Sequence, residues 1–285
     1  MQHIRWANEA KSIRPEAPIM IVALEGLFDI AEGATDALHH LVTHTDAQLI
    51  ATIDSEEFFD FTRERPTMRL AGGKRRIAWP DAKCFVATFD DPSKRDLVLL
   101  VGVEPHLRWK TFAACITTIA ERLEVSTLVS MGSPPGSAPH TRPLGVVGST
   151  TNSDLAARLG LGPPTYQGPT GLVGVLHEQL DRRGLPSFSL KVSVPHYVTS
   201  PPNPEASRSL LARLELITGI DTGHTVFDDA AVQWREKVDS AVAADDEIAH
   251  YVRTLEKEVD SSDDLLPTGA DLAHQLEAFL RGQEN

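Results

Sequence analysis

The feature that most constrains this chain is a set of short apolar runs, nearly free of charge, that recur between segments of helical composition. Ile19–Leu24, Gln48–Ile53, Leu97–Val103, Thr127–Met131 and Pro186–Val194 are such runs. A strand that is apolar on both sides must be covered on both faces, and helices between the strands supply that cover. Ala31–His44, Arg108–Leu123, Gly171–Arg183 and Ala206–Thr218 carry apolar residues at three- and four-residue steps, as amphipathic helices do. Cys84–Phe89 and Leu144–Ser149 read as further strands, Arg75–Trp79 as a short edge strand, and Asn152–Leu159 as a short helix. This alternation predicts an α/β fold: a three-layer α/β/α arrangement around a mostly parallel mixed sheet.

Beyond residue 205 the character changes. Trp234, Val238, Ala241, Ile248, Val252, Leu255 and Val259 form a heptad stripe through 228–260, interrupted at Asp245, which alternatively caps a second helix. A last amphipathic segment holds Leu272, Leu276, Phe279 and Leu280. Of the formal net charge of −13, residues 221–285 supply −11, from sixteen Asp/Glu against five Lys/Arg. The expected division is an α/β core over 1–205 and an acidic helical C-terminal extension over 206–285.

An acidic balance argues against nucleic acid and against an anionic membrane as partner. No run has the length of a membrane span, the N-terminus lacks a signal-peptide core, and Cys84 and Cys115 form no spaced cluster. A cytoplasmic protein is expected.

The chemistry-bearing residues follow the apolar runs, where open α/β sheets bind ligands. They lie in Gly102-Val-Glu-Pro-His-Leu-Arg-Trp109, Pro139-His-Thr-Arg-Pro143, Tyr166-Gln-Gly-Pro-Thr-Gly171 and Val194-Pro-His-Tyr-Val198. The candidates for ligand or interface contact are Glu104, Arg108, His140, Thr141, Arg142, Tyr166, Gly168, His196 and Tyr197. Glu104, Arg108, His140 and Arg142 are expected to converge, with Glu104 ion-paired to an arginine. A His and an Arg held between prolines lose little entropy on meeting an anion. The reading favoured over catalysis makes these residues a structural clamp or a subunit contact. The chain has no P-loop, no strand-linked dinucleotide glycines and no nucleophile elbow. His39, His40 and His44 lack an acidic fourth ligand at metal spacing and read as a solvated helix face. No cofactor, metal or catalytic set is expected.

Taken in order, these motifs resemble the proteasome assembly chaperone 2 family in its actinobacterial-type branch. Ala23-Leu-Glu-Gly-Leu-Phe-Asp29, Asp54-Ser-Glu-Glu-Phe-Phe-Asp-Phe61 with Arg65-Pro66, and Ile77-Ala-Trp-Pro80 belong to the same series. The resemblance spans roughly residues 18–220, and the acidic tail is similar to that branch too. It departs at Leu27-Phe28, where members often carry Trp after the glycine. It implies a phosphorylase/hydrolase-like α/β/α fold and self-association, or pairing with a related chain; a homo-oligomer is expected, a trimer ahead of a dimer. It also implies ATP-independent assembly work with proteasome subunits as partners. Archaeal relatives dock through a hydrophobic-Tyr-x terminus. The end Arg281-Gly-Gln-Glu-Asn285 lacks that tyrosine, which argues against insertion of that kind. The function expected is a non-enzymatic oligomeric binding protein. The alternative is an enzyme acting on a small anionic or nucleoside-like ligand, with Arg108 and Arg142 binding the anion and Glu104, His140 or His196 moving protons.

Overall fold

The structure is a computed structural model that describes residues 2–263 apart from 9, 11, 12, 92 and 93. In chain order the elements are β1 (Ile4–Trp6), β2 (Ile19–Glu25), α1 (Gly33–His44), β3 (Gln48–Ile53), β4 (Thr67–Ala71), β5 (Lys74–Ala78), β6 (Ala82–Ala87), β7 (Leu97–Val103), α2 (Trp109–Arg122), β8 (Thr127–Gly132), β9 (Pro135–Gly136) and β10 (Val146–Ser149). They continue with α3 (Ser153–Leu159), α4 (Leu172–Arg183), β11 (Ser187–Val192), β12 (Val194–Pro195), α5 (Pro204–Thr218), α6 (Asp228–Ala243) and α7 (Asp246–Asp263). The amphipathic segment at 272–280 and the chain end lie outside the described residues.

Eight strands form one mixed sheet in the order β1-β3-β6-β7-β2-β8-β11-β10. The centre, β7-β2-β8-β11, is parallel, and antiparallel strands close both sides. The central strands show why the runs are continuous. Met20, Val22 and Leu24 of β2, with Val98 and Leu100 of β7, face the cluster built by Phe112, Ile116 and Ile119 of α2 and Leu172, Leu176 and Leu180 of α4. Ile19, Ile21 and Ala23, with Leu97, Leu99 and Val101, face Leu38 and Leu41 of α1 and Leu210, Leu211 and Leu214 of α5. Side chains alternate across a strand, so each run feeds two cores and three layers result.

The structure departs from the sequence reading at the 205/206 division and at His40, and it decides between the two readings of the 228–260 stripe. The division at 205/206 assigns α5 to the extension, but its leucines belong to the second core and it packs along α1 and β11. The 228–260 stripe is two helices. Asp245 Oδ1 accepts from the backbone N–H groups of Glu247 (3.0 Å) and Ile248 (3.1 Å), capping α7 and breaking the stripe. On α1, His40 is half-buried rather than solvated. Its Nε2 bonds the Thr222 carbonyl at 2.9 Å, and its ring lies edge-on to Phe227.

A polar strut crosses the core. His177 of α4 bonds Ser130 Oγ of β8 at 2.8 Å and Ser187 Oγ of β11 at 2.9 Å, and burial holds the imidazole below its usual pKa.

Candidate functional site

The loops after β2 and β7 and the segment leading into α4 meet on one carboxylate. The Glu104 backbone N–H donates to the Glu25 carbonyl at 2.8 Å, continuing the β2–β7 ladder. Its Oε1 accepts from the Leu172 N–H at 2.9 Å. That is an orphan donor at the start of α4, whose cap position Gly171 has no side chain to offer. Gly26, at φ +152°, sits so close that a Cβ there would lie 2.9 Å from Glu104 Oε2. Leu27 (74% exposed), Leu107 (50%) and Tyr166 (68%) project from these same loops. Leu27 and Leu107 at the carboxyl ends of β2 and β7, with Tyr166 from the segment before α4, present a contact surface rather than an enclosed pocket.

Arg108 precedes α2 in the left-handed region (φ +54°), a conformation that costs a non-glycine residue on the order of 1 kcal/mol. Its guanidinium pairs with Glu57. Tyr166 donates its hydroxyl to the Pro169 carbonyl at 2.8 Å. The chain curls around that ring through Gly168, at φ +152°, where a Cβ would lie 2.8 Å from the hydroxyl.

The remaining candidates form a second group, occupied by the chain's own helices. Pro135–Gly136 and Val194–Pro195 pair as β9 and β12, which brings the 139–143 and 194–198 loops together. His140, 2% exposed, is held on both nitrogens: Nδ1 lies 2.8 Å from Tyr197 Oη and Nε2 3.0 Å from Asp239 Oδ1 of α6. The Tyr197 hydroxyl already accepts from the His140 backbone N–H at 3.0 Å. The ionised Asp239 carboxylate can only accept, so the Nε2 proton of His140 faces it. Burial raises the Tyr197 phenol above its usual pKa. Thr141 Oγ1 donates to Glu256 at 2.5 Å. Arg142 grips Asp260 through Nε and Nη2, both at 2.8 Å, and this keeps Asp260 below the usual carboxylate range. His196 Nδ1 donates to the Gly136 carbonyl at 3.0 Å, leaving Nε2 to accept from Tyr251 of α7 at 3.2 Å.

The expected convergence of Glu104, Arg108, His140 and Arg142 is therefore corrected. Their loops leave the same end of the sheet, but no hydrogen bond or ion pair joins the two groups among the described residues. The cause is topological. β2 lies between β7 and β8, which separates the loop roots by roughly 9.5 Å, and each arginine meets a nearer carboxylate. The sequence reading missed those carboxylates, Glu57, Asp239, Glu256 and Asp260. The signal available for two of them was the four-residue spacing of Glu256 and Asp260 along one face of α7.

Asp29 was also missed. It is 1% exposed and accepts from Ala34 N, Thr35 N and Thr35 Oγ1, each at 2.8 Å, and from Ser133 Oγ. One carboxylate thus closes the start of α1 and ties the β2 loop to the end of β8. The neighbouring acids crowd it. Burial, then Glu32 and Asp29, pushes Asp36 up to about 6, and burial with the same acids raises Glu25. A raised carboxylate stabilises the fold below its unfolded pKa, and that contribution is lost as pH rises through the folded value. Asp36→Asn should therefore stabilise the protein at pH 7 by about 1 kcal/mol after discounting for solvent screening. The gain should vanish towards pH 4. Paired thermal melts at the two pH values check this, and an Asn variant less stable than wild type at pH 7 would refute it.

Among the described residues, no group of three or more His, Cys, Asp or Glu is placed to hold a metal ion, and no helix is long and apolar enough to cross a membrane. The fold and site define a three-layer α/β/α protein whose strand-end loops are partly clasped by its own acidic C-terminal helices. Residues 23–242 match the PAC2 family, and the chain belongs to that family. A PAC2 family protein from Streptomyces avermitilis shares 40% identity, covering 82% of this chain and 99% of that one, with a TM-score of 0.77. A proteasome-assembly chaperone homologue from Mycobacterium tuberculosis shares 34% identity over 82% and 99% of the two chains, with a TM-score of 0.73. An archaeal proteasome activator from Pyrococcus furiosus has the same fold at 17% identity, with a TM-score of 0.66 over 85% of this chain and 99% of its own. No curated protein matches the chain.

Proposed function

We propose that the protein is a non-enzymatic, ATP-independent assembly chaperone or adaptor that handles proteasome subunits in the cytoplasm as a homo-oligomer, most simply a trimer. The observation that carries this reading is membership of the PAC2 family over 23–242, joined to 34% identity with a proteasome-assembly chaperone homologue. The state of the arginines favours it over an enzyme for small anions. Arg108 faces Glu57, and Arg142 faces Glu256 and Asp260, so each would have to leave a carboxylate before gripping a ligand.

In this reading the two groups of candidates have different work. Glu104 braces the loops that present Leu27, Leu107 and Tyr166, with Arg108 and Gly168 shaping the same surface for a protein partner. His140, Thr141, Arg142, His196 and Tyr197 seat the helical extension. The body runs through α5, and the extension begins after it.

Mixing purified proteasome α and β subunits with and without this protein, in the absence of ATP, tests the proposal. Assembled particles should form faster on native gels, and a complex with one subunit type should be isolable. An unchanged assembly rate with no complex to either subunit would overturn it.

A further inference from the structure

The β4–β5 hairpin is the part of the molecule least explained by its own fold. All of the side chains of its two strands but Ala78 are exposed, and it pairs with no third strand among the described residues. A lone two-stranded hairpin is marginally stable in water. The register puts Met68 opposite Ile77 and Leu70 opposite Arg75 on one face, with Met68, Leu70 and Ile77 exposed by 58%, 77% and 47%. On the other face Arg69 lies directly opposite Arg76, a like-charge pairing that destabilises a ladder. Residues 67–78 contain four Lys/Arg and no acid, in a chain of net charge −13. None of the four has an ion-pair partner among the described residues. The anchor at the root is the edge-on contact of Phe61 with Trp79, 4.8 Å between centroids.

The complementary surface is on the same chain but elsewhere. α6 turns Ala231 and Val238 inward, and its opposite side presents Asp229, Val232 and Glu236, an apolar residue between two exposed acids. Residues 228–263 hold eleven Asp/Glu against four Lys/Arg. No hydrogen bond or ion pair joins the hairpin to α6 or α7 within the described chain. The hairpin follows β3 on one side of the sheet, whereas α6 packs against α5, which lies over β11 and β10 on the other.

We propose that the β4–β5 hairpin docks onto the outer face of α6 of a second copy of this chain. Met68, Leu70 and Ile77 cover Val232, Arg75 on the same face meets Asp229 and Glu236, and Lys74 and Arg76 on the far face add their attractive field at longer range. Two different surfaces meet in such a contact, so it runs head to tail, the arrangement from which rings are built. The inference rests on the homo-oligomer reading above and specifies its interface.

The test measures mass by light scattering at micromolar concentration and low ionic strength. Wild type should exceed one chain and lose mass at high salt, because the charged partners are exposed. K74E/R75E/R76E should be monomeric, as should D229K/E236K, each with wild-type circular dichroism. The combined five-substitution chain should recover the oligomer. A wild-type monomer would overturn the oligomer reading itself. A wild-type oligomer that the hairpin variant retains would overturn this interface alone. So would a failure of the combined chain to recover, which would remove α6 as the occupant. A hairpin variant of unchanged mass that loses binding to phosphatidylglycerol vesicles would also overturn it, in favour of a lipid surface.

Discussion

Asp29→Ala should destabilise the protein by about 3–5 kcal/mol, among the largest losses expected from any single polar residue here. The carboxylate serves four donors in a site 1% exposed: Ala34 N, Thr35 N, Thr35 Oγ1 and Ser133 Oγ. An alanine leaves them facing an apolar wall, at roughly 1–3 kcal/mol for each that finds no substitute. It also removes a negative charge from the start of α1, where the helix dipole favours one. Glu32, the residue before α1, makes no side-chain cap, so nothing nearby takes over. Relief of the repulsion that Asp29 exerts on Asp36 offsets a smaller part. Urea unfolding should give the loss directly, and the melting temperature should fall by roughly 10 °C. A loss below about 1 kcal/mol would mean that water replaces the carboxylate and that the β2 loop is not pinned to β8 through it.

Arg142→Glu should release α7 while leaving the α/β body folded. The substitution places a third carboxylate against Glu256 and Asp260, turning two attractive contacts into repulsive ones. What remains on that side is the Thr141–Glu256 bond, the His196–Tyr251 bond and the buried side chains of Val252 and Leu255. Opening of one helix is a local event, drawn from the low end of a protein's range of opening energies. Limited proteolysis should therefore cut within 245–263 about tenfold faster than in wild type, with the body's melting transition nearly unmoved. Arg142→Lys keeps the charge but not the two-pronged grip, and should fall between. Wild-type protection in the Glu variant would show that apolar contacts alone hold the helix.

Much of the body was legible because its strands are buried on both faces. Gln48–Ile53 and Leu97–Val103 were read to the residue, since each is an apolar run stopped by polar or turn residues. The β4–β5 hairpin resisted for the opposite reason. With nearly every side chain exposed, no burial pattern marks the strands, and only part of β5 was anticipated. β1, three residues long, was too short to carry a period. The candidate residues themselves were recognisable from their place after apolar runs. Their grouping was not, because the deciding partners are remote. Arg142 and Asp260 lie 118 positions apart, and His140 and Asp239 lie 99 apart. Spacing within a motif says nothing about contacts at that range.

The β9–β12 ladder has a mechanical consequence. It is two residues long on each side. Pro135 has no N–H to give, so Val194 N to Pro134 O (3.0 Å) and His196 N to Gly136 O (3.2 Å) carry the backbone connection. Yet both loops that clasp the extension hang from it, one leading back to β8 and the other to β11. A pull on α7 thus reaches β8 and β11, two neighbouring strands of the parallel centre, at a short hinge plate. With two residue pairs against five in the β8–β11 ladder, the plate is the weaker link, so tension on the extension is expected to open it first and spare the body, as a fuse protects a circuit.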